Sequence, residues 1–148
     1  MATATDTKYI PIISSATVGP LGVAHLPRLW TKLTLGNAGM LPEGHDYCGQ
    51  GFDQMTISGL GLERDKVIEF VKTKKPTYIQ FEEWVKVNGK LDPEMIKKHN
   101  AAVHGYNHGD ETVKRIQDDI GLKNPAVKDA VTLNILEDLH DLHVMAAK

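Results

Sequence analysis

Reactive side chains concentrate in one stretch, His45-Asp46-Tyr47-Cys48-Gly49-Gln50-Gly51-Phe52-Asp53. An imidazole, two carboxylates, a phenol and a thiol stand there among Gly44, Gly49 and Gly51. Glycine permits tight turns, so neighbouring side chains can gather on one side of such a loop. The chemistry this set supports is general acid–base catalysis: a His and a carboxylate whose surroundings push their pKa values apart can move protons on a small substrate, with Tyr or Arg orienting it. His45, Asp53, His25 and Asp46 are the candidate catalytic residues. Arg28 and Tyr47 are the first candidates for holding substrate, with His99, Tyr106, His108 and His143 as a second rank from the C-terminal half. Each also has a structural reading, with Asp53 as a helix cap, Arg28 as its ion partner and His45 exposed on a mobile loop.

Other chemistries find less support. Cys48 follows His45 closely, but a thiol acts at neutral pH only when its pKa is lowered, and a lone cysteine reads as a small packing residue. Ser58, in Thr56-Ile57-Ser58-Gly59, lacks the strand-to-helix nucleophile elbow. Gly36-x-x-Gly39 and Gly49-x-Gly51 match neither a P-loop nor a dinucleotide fingerprint. The 7 histidines raise a metal reading. His104 and His108 have one-turn spacing, but Gly105 and Gly109 predict a turn there. Glu137, His140 and His143, with Asp138 and Asp141 nearby, form the alternative ligand set for a divalent metal. A di-iron bundle site would need a second Glu-x-x-His pair, which the chain lacks. The leading reading therefore expects no cofactor.

Helices must position these residues, because every strong periodic segment has helical spacing. The first is expected over Leu26–Leu35, with Leu26, Leu29, Trp30 and Leu33 inward, Pro27 in the first turn and Gly36 as a stop. His25 then sits at its start and Arg28 in its first turn. A long irregular link leads through Pro42 to Gly51, a length at which loops tend to be functional. Phe52–Leu60 predicts a short helix with Asp53 near its N-terminus, and Glu63–Thr73 another that ends before Pro76. Thr77-x-x-Gln80 has the form of a capping box, and Asp92-Pro93 reads as a cap followed by a first-turn proline. Further helices are expected from Glu111 to Ile120 and from Asn124-Pro125 to about Met145, the last with Val127, Val131, Ile135, Leu139 and Leu142 as an apolar seam. The expectation is a mainly α fold of five to seven helices: an irregular arm over residues 1–19 and a single domain over residues 20–148.

Composition bounds the remainder. A chain of 148 residues, 41% hydrophobic and 24% charged, suits one domain with a sizeable core. Its formal net charge of −2, with no basic run interleaved with aromatics, speaks against nucleic acid as a partner. No apolar run approaches the roughly 20 residues of a membrane helix, so no membrane partner is expected. The single cysteine fits a reducing compartment, and the cytoplasm is the expected location. A small-molecule substrate is the expected partner. A non-enzymatic binding or homo-oligomeric module, using the arm and an amphipathic helix, is the alternative.

The order of motifs resembles a known family. The Leu26-Pro27-Arg28 helix start, the loop through Tyr47 and Cys48 to Gly51-Phe52-Asp53, the Thr56–Leu62 segment and the Lys98-His99-Asn100 helix are similar to the bacterial domain-of-unknown-function family numbered 5069. The resemblance covers about Leu21 to Asn107. It implies a compact helical domain and brings no established activity, cofactor or catalytic residue.

Overall fold

The computed structural model describes residues 7–148. Seven helices form among them: α1 (Leu26–Asn37), α2 (Phe52–Gly59), α3 (Arg64–Lys74), α4 (Tyr78–Asn88), α5 (Pro93–Gly105), α6 (Asp110–Ile120) and α7 (Ala130–Ala146). The described β structure is a lone antiparallel bridge between Asn107 and Asp129. The fold is mainly α, as the periodicity predicts.

Side-chain caps open three of these seven helices, α4, α5 and α7. Thr77 and Gln80 make the reciprocal capping box that opens α4. Asp92 accepts the Met95 N–H at 2.9 Å to open α5. The start of α7 departs from expectation. Asn124 and Pro125 lie in a turn in which Asn124 Oδ1 accepts the Ala126 N–H at 3.0 Å, and the helix begins only at Ala130. Two bonds fix that later start: Asp129 caps Thr132 at 2.9 Å, and the Ala130 N–H donates to the Tyr106 carbonyl at 2.9 Å.

Packing follows the apolar stripes. Leu26, Leu29 and Leu33 of α1 meet Ile57, Val67, Val71, Phe81 and Val85 from α2, α3 and α4 in the main core. Each such side chain contributes about 1.5–3 kcal/mol relative to exposure. A smaller cluster joins Ala24, Phe52, Val103 and Ala130, and a third joins Val113 and Ile116 of α6 to Leu133 of α7. The predicted α7 seam is corrected. Leu139 and Leu142 are 47% and 41% exposed, whereas Ala130, Leu133 and the carboxylate Asp138 are buried. The helix turns this polar-containing face inward because Asp138 pairs with the buried Arg28 of α1.

The N-terminal segment from residue 7 packs on the domain. Tyr9 donates its N–H to the Met40 carbonyl at 2.9 Å. Arg28 donates to the Pro11 and Ile13 carbonyls at 2.7 and 2.8 Å. The first six residues of the expected arm lie outside the described residues. No helix among the described residues is long and apolar enough to cross a membrane.

Candidate active site

The start of α1, the glycine-rich loop, the first turn of α2 and the inner face of α7 enclose a cavity of about 370 Å³. Its inner wall is a set of paired charges. His25 caps α1 in the left-handed conformation, φ 72°, which is uncommon for a non-glycine residue. Its ring Nε2 lies 2.6 Å from Asp53 Oδ1 and its Nδ1 3.0 Å from Ser15 Oγ. Asp53 Oδ2 accepts from Lys32 Nζ at 2.5 Å and from the Gly49 N–H at 2.7 Å. Burial holds the His25 pKa below its ordinary value, outweighing the Asp53 contact. The imidazole is therefore neutral, Nε2–H donates to Asp53, and Ser15 donates its O–H to Nδ1. Burial pushes the Asp53 carboxyl up, but the His25 bond and the Lys32 ammonium outweigh it and hold Asp53 well below the usual carboxylate range. Lys32 thus carries the charge that balances Asp53.

Ser15, His25 and Asp53 form a hydrogen-bonded line but not a nucleophilic triad. Ser15 is 1% exposed and does not line the cavity, so no substrate carbonyl reaches its hydroxyl. Beside this group, Arg28 meets Asp138 at 2.6 Å.

The outer wall is looser. His45 Nε2 stands 3.2 Å from Asp141, whose side chain is 49% exposed. Glu137 lies 3.8 Å from Arg115, and His108 Nε2 lies 3.0 Å from Asn134 Oδ1. Burial raises the Glu137 pKa; Arg115 opposes the rise, while Asp141 and Asp138 add to it. A carboxyl of this kind in a cleft retains its proton to higher pH than a solvated glutamate, which suits a general acid. Tyr106 meets Phe52 edge-on at 5.5 Å, giving the wall an aromatic surface.

The cavity brings together His25, Arg28, His45, Asp46, Asp53, Tyr106, His108 and Glu137 from the residues singled out in the sequence. Several roles change. Asp53 does not cap α2, whose N-cap Gly51 receives no side-chain bond, and serves as the acceptor for His25 and Lys32 instead. Arg28 pairs with Asp138 rather than Asp53. The His45 side chain is 10% exposed and held by Asp141, not free on a loop.

Tyr47, His99, His140 and His143 are placed outside the cavity lining. Tyr47 packs over Gly36, where a Cβ would collide with its ring, and donates to Asn37 at 2.5 Å. His99 is buried against α2 and bonds the Ala24 carbonyl at 2.8 Å through Nε2; burial lowers its pKa. His143 is exposed, whereas Glu137 faces Arg115. The alternative set Glu137, His140 and His143 thus forms no shared site, and among the described residues no three His, Cys, Asp or Glu side chains group as metal ligands. Cys48 is half-buried, and burial pushes its thiol pKa up, away from nucleophile duty.

Sequence reasoning missed Lys32, Arg115 and Asn134, and did not place Asp138 and Asp141 at the site. A signal was present. His25, Arg28 and Lys32 follow i, i+3, i+7, and Asn134, Glu137, Asp138 and Asp141 recur at helical spacing, so each helix carries one polar stripe.

Fold and cavity together define a small all-helical domain with a charged cleft between its first and last helices. No model of a known protein family matches the chain, and no curated protein matches it.

Proposed function

We propose that the protein is a small-molecule enzyme of lyase, isomerase or hydrolase type, working by general acid–base chemistry in this cavity. The observation that carries the reading is the outer wall, which sets Glu137, with its raised pKa, in the same cavity as His45, held by Asp141. Glu137 is the general acid. His45, with Asp141 3.2 Å from its Nε2, is the base. Asp46, exposed at the mouth, and Tyr106 contact substrate. His25, Asp53, Lys32 and Arg28 are positioning residues, since their hydrogen-bonding groups are already engaged by one another. The cytoplasm is the proposed location, and membership in the domain-of-unknown-function family numbered 5069 remains part of the proposal.

The test is a turnover screen of small polar metabolites with the natural protein, Glu137→Gln and His45→Ala. Each variant is expected to lose roughly 10²-fold or more in turnover while remaining folded. Wild-type rates from both variants on an identified substrate would remove this site.

A second reading, a binding or homo-oligomeric module, is favoured by one observation. Leu139, Leu142, Val144 and Met145 are all exposed toward the end of α7. Sedimentation equilibrium of the natural protein and Leu142→Glu tests it: a dimer broken by the substitution supports it, and a monomer in both cases removes self-association.

A further inference from the structure

The ionic pairing inside the cavity limits what it can receive. Lys32 is engaged by Asp53 at 2.5 Å, Arg28 by Asp138 at 2.6 Å, and Arg115 by Asp119 and Glu137 at 3.4 and 3.8 Å. Every Lys and Arg lining the cavity therefore already faces a carboxylate. Asp46 and Asp141 are the lining carboxylates without a Lys or Arg partner among the described residues, and both stand exposed.

An anionic ligand would have to separate a cation from its carboxylate while passing Asp46. At Arg28 and Lys32 this breaks a buried pair and leaves a desolvated charge behind, and at Arg115, which is 57% exposed, salt screens the gain. A cationic ligand would find only Asp46 and Asp141 without a Lys or Arg partner, both in exposed positions where salt screens them. A hydroxyl group breaks no pair. Its O–H donates to a lone pair the carboxylate still has, and its oxygen accepts an N–H from Arg, His or Asn. The walls supply such groups of both kinds, including Asn134. The exposed Tyr106 ring, set edge-on to Phe52, adds an apolar face for C–H groups. The cavity volume of about 370 Å³ lies at the small end of ligand pockets.

We propose that the cavity takes an uncharged polyhydroxylated molecule of monosaccharide size, a sugar or sugar alcohol, with its hydroxyls on the paired charges and its C–H face on Tyr106. This inference rests on the reading of the cavity as a small-molecule site and specifies its ligand class.

The test is calorimetric or NMR titration of the full chain with neutral probes (glucose, galactose, mannose and mannitol) and with charged ones (hexose phosphate, hexuronate and aminohexose). At least one neutral probe is expected to bind with a Kd of about 1 mM or tighter, and the charged derivatives about tenfold more weakly or worse. Tyr106→Ala is expected to weaken that neutral ligand about tenfold. Tyr106 is 39% exposed and its carbonyl bond to Ala130 survives the substitution, so the fold is kept. Tighter binding of a charged derivative, or no binding of any neutral probe, would overturn the proposal. The acid–base reading fails separately: binding of a neutral probe with no turnover of any polyol leaves the ligand class standing, and turnover of a charged substrate does the reverse.

Discussion

The inner wall of the cavity (His25, Lys32, Asp53, Arg28 and Asp138) and its outer wall (His45, Glu137, Asp141, His108 and Arg115) use the same side-chain types in opposite circumstances. On the inner wall no side chain is more than 10% exposed, and the closest contact of each pair lies between 2.5 and 2.6 Å. On the outer wall His45 is as buried as Arg28, at 10%, but Arg115, Asp141 and Glu137 are 57%, 49% and 33% exposed, and the contacts lengthen to 3.2 and 3.8 Å. Buried pairs are held by mutual need, since removing one member strands the other without water. Exposed pairs exchange freely with solvent and contribute little to stability. Proton transfer requires a group that can change charge without collapsing its surroundings. The outer wall meets that requirement and the inner wall does not.

The contrast can be broken most forcefully from the inner wall. Lys32→Met strands the Asp53 carboxylate, and Arg28→Ala strands Asp138 together with the Pro11 and Ile13 carbonyls. Each is expected to cost about 3–5 kcal/mol in urea unfolding. A loss under about 1 kcal/mol in both would mean that the inner charges are not structurally coupled.

A pH series sharpens the same point. The folded His25 and His99 pKa values lie below 6.5, so as pH falls below that value the unfolded chain binds protons that the folded chain refuses. Stability therefore falls as the solution is acidified from neutral through the window below pH 6.5. At still lower pH the depressed Asp53 pKa adds its own loss, below the ordinary 3.8, as the unfolded carboxylate protonates first. Glu137 acts with the opposite sign, because its folded pKa lies above 4.5 and the folded state takes up its proton first. Urea melts across pH should show a net decline on acidification, flattened in His25→Gln relative to its own stability at neutral pH.

The smallest expected effects come from the outer wall. Glu137→Gln should leave unfolding stability within about 1 kcal/mol of the natural protein. Circular dichroism melts check this, and a loss as large as that of Lys32→Met would erase the distinction between the two walls.

Much of the fold was legible because apolar periodicity and capping chemistry are local. The Thr77–Gln80 capping box and the Asp92 cap act where their residue types predict. The start of α7 was not legible, because the bond from Ala130 to the Tyr106 carbonyl joins residues far apart in the chain. The same limit governs the site. His45, Asp46 and Asp53 announce themselves by sharing one loop, and His25 and Arg28 by opening a helix. Lys32 reads as a solvated residue on an amphipathic helix until Asp53 arrives from α2. Asp138 was hidden by the apolar residues around it, since burying a carboxylate on α7 makes sense only once Arg28 stands opposite. Tyr47 misled because its phenol shares the loop with His45, while its ring is drawn away to the bare backbone at Gly36.

The most direct measurement of the two-wall contrast is a carbon-detected NMR titration of the Asp53 and Glu137 carboxyl groups in one sample of the natural protein. The prediction is that Asp53 stays ionised down to the lowest pH at which the fold persists, while Glu137 takes up its proton above the ordinary glutamate value of 4.5. If Glu137 titrates at or below that value, or Asp53 protonates near the ordinary 3.8 with the fold intact, the division between a structural inner wall and a proton-carrying outer wall is wrong.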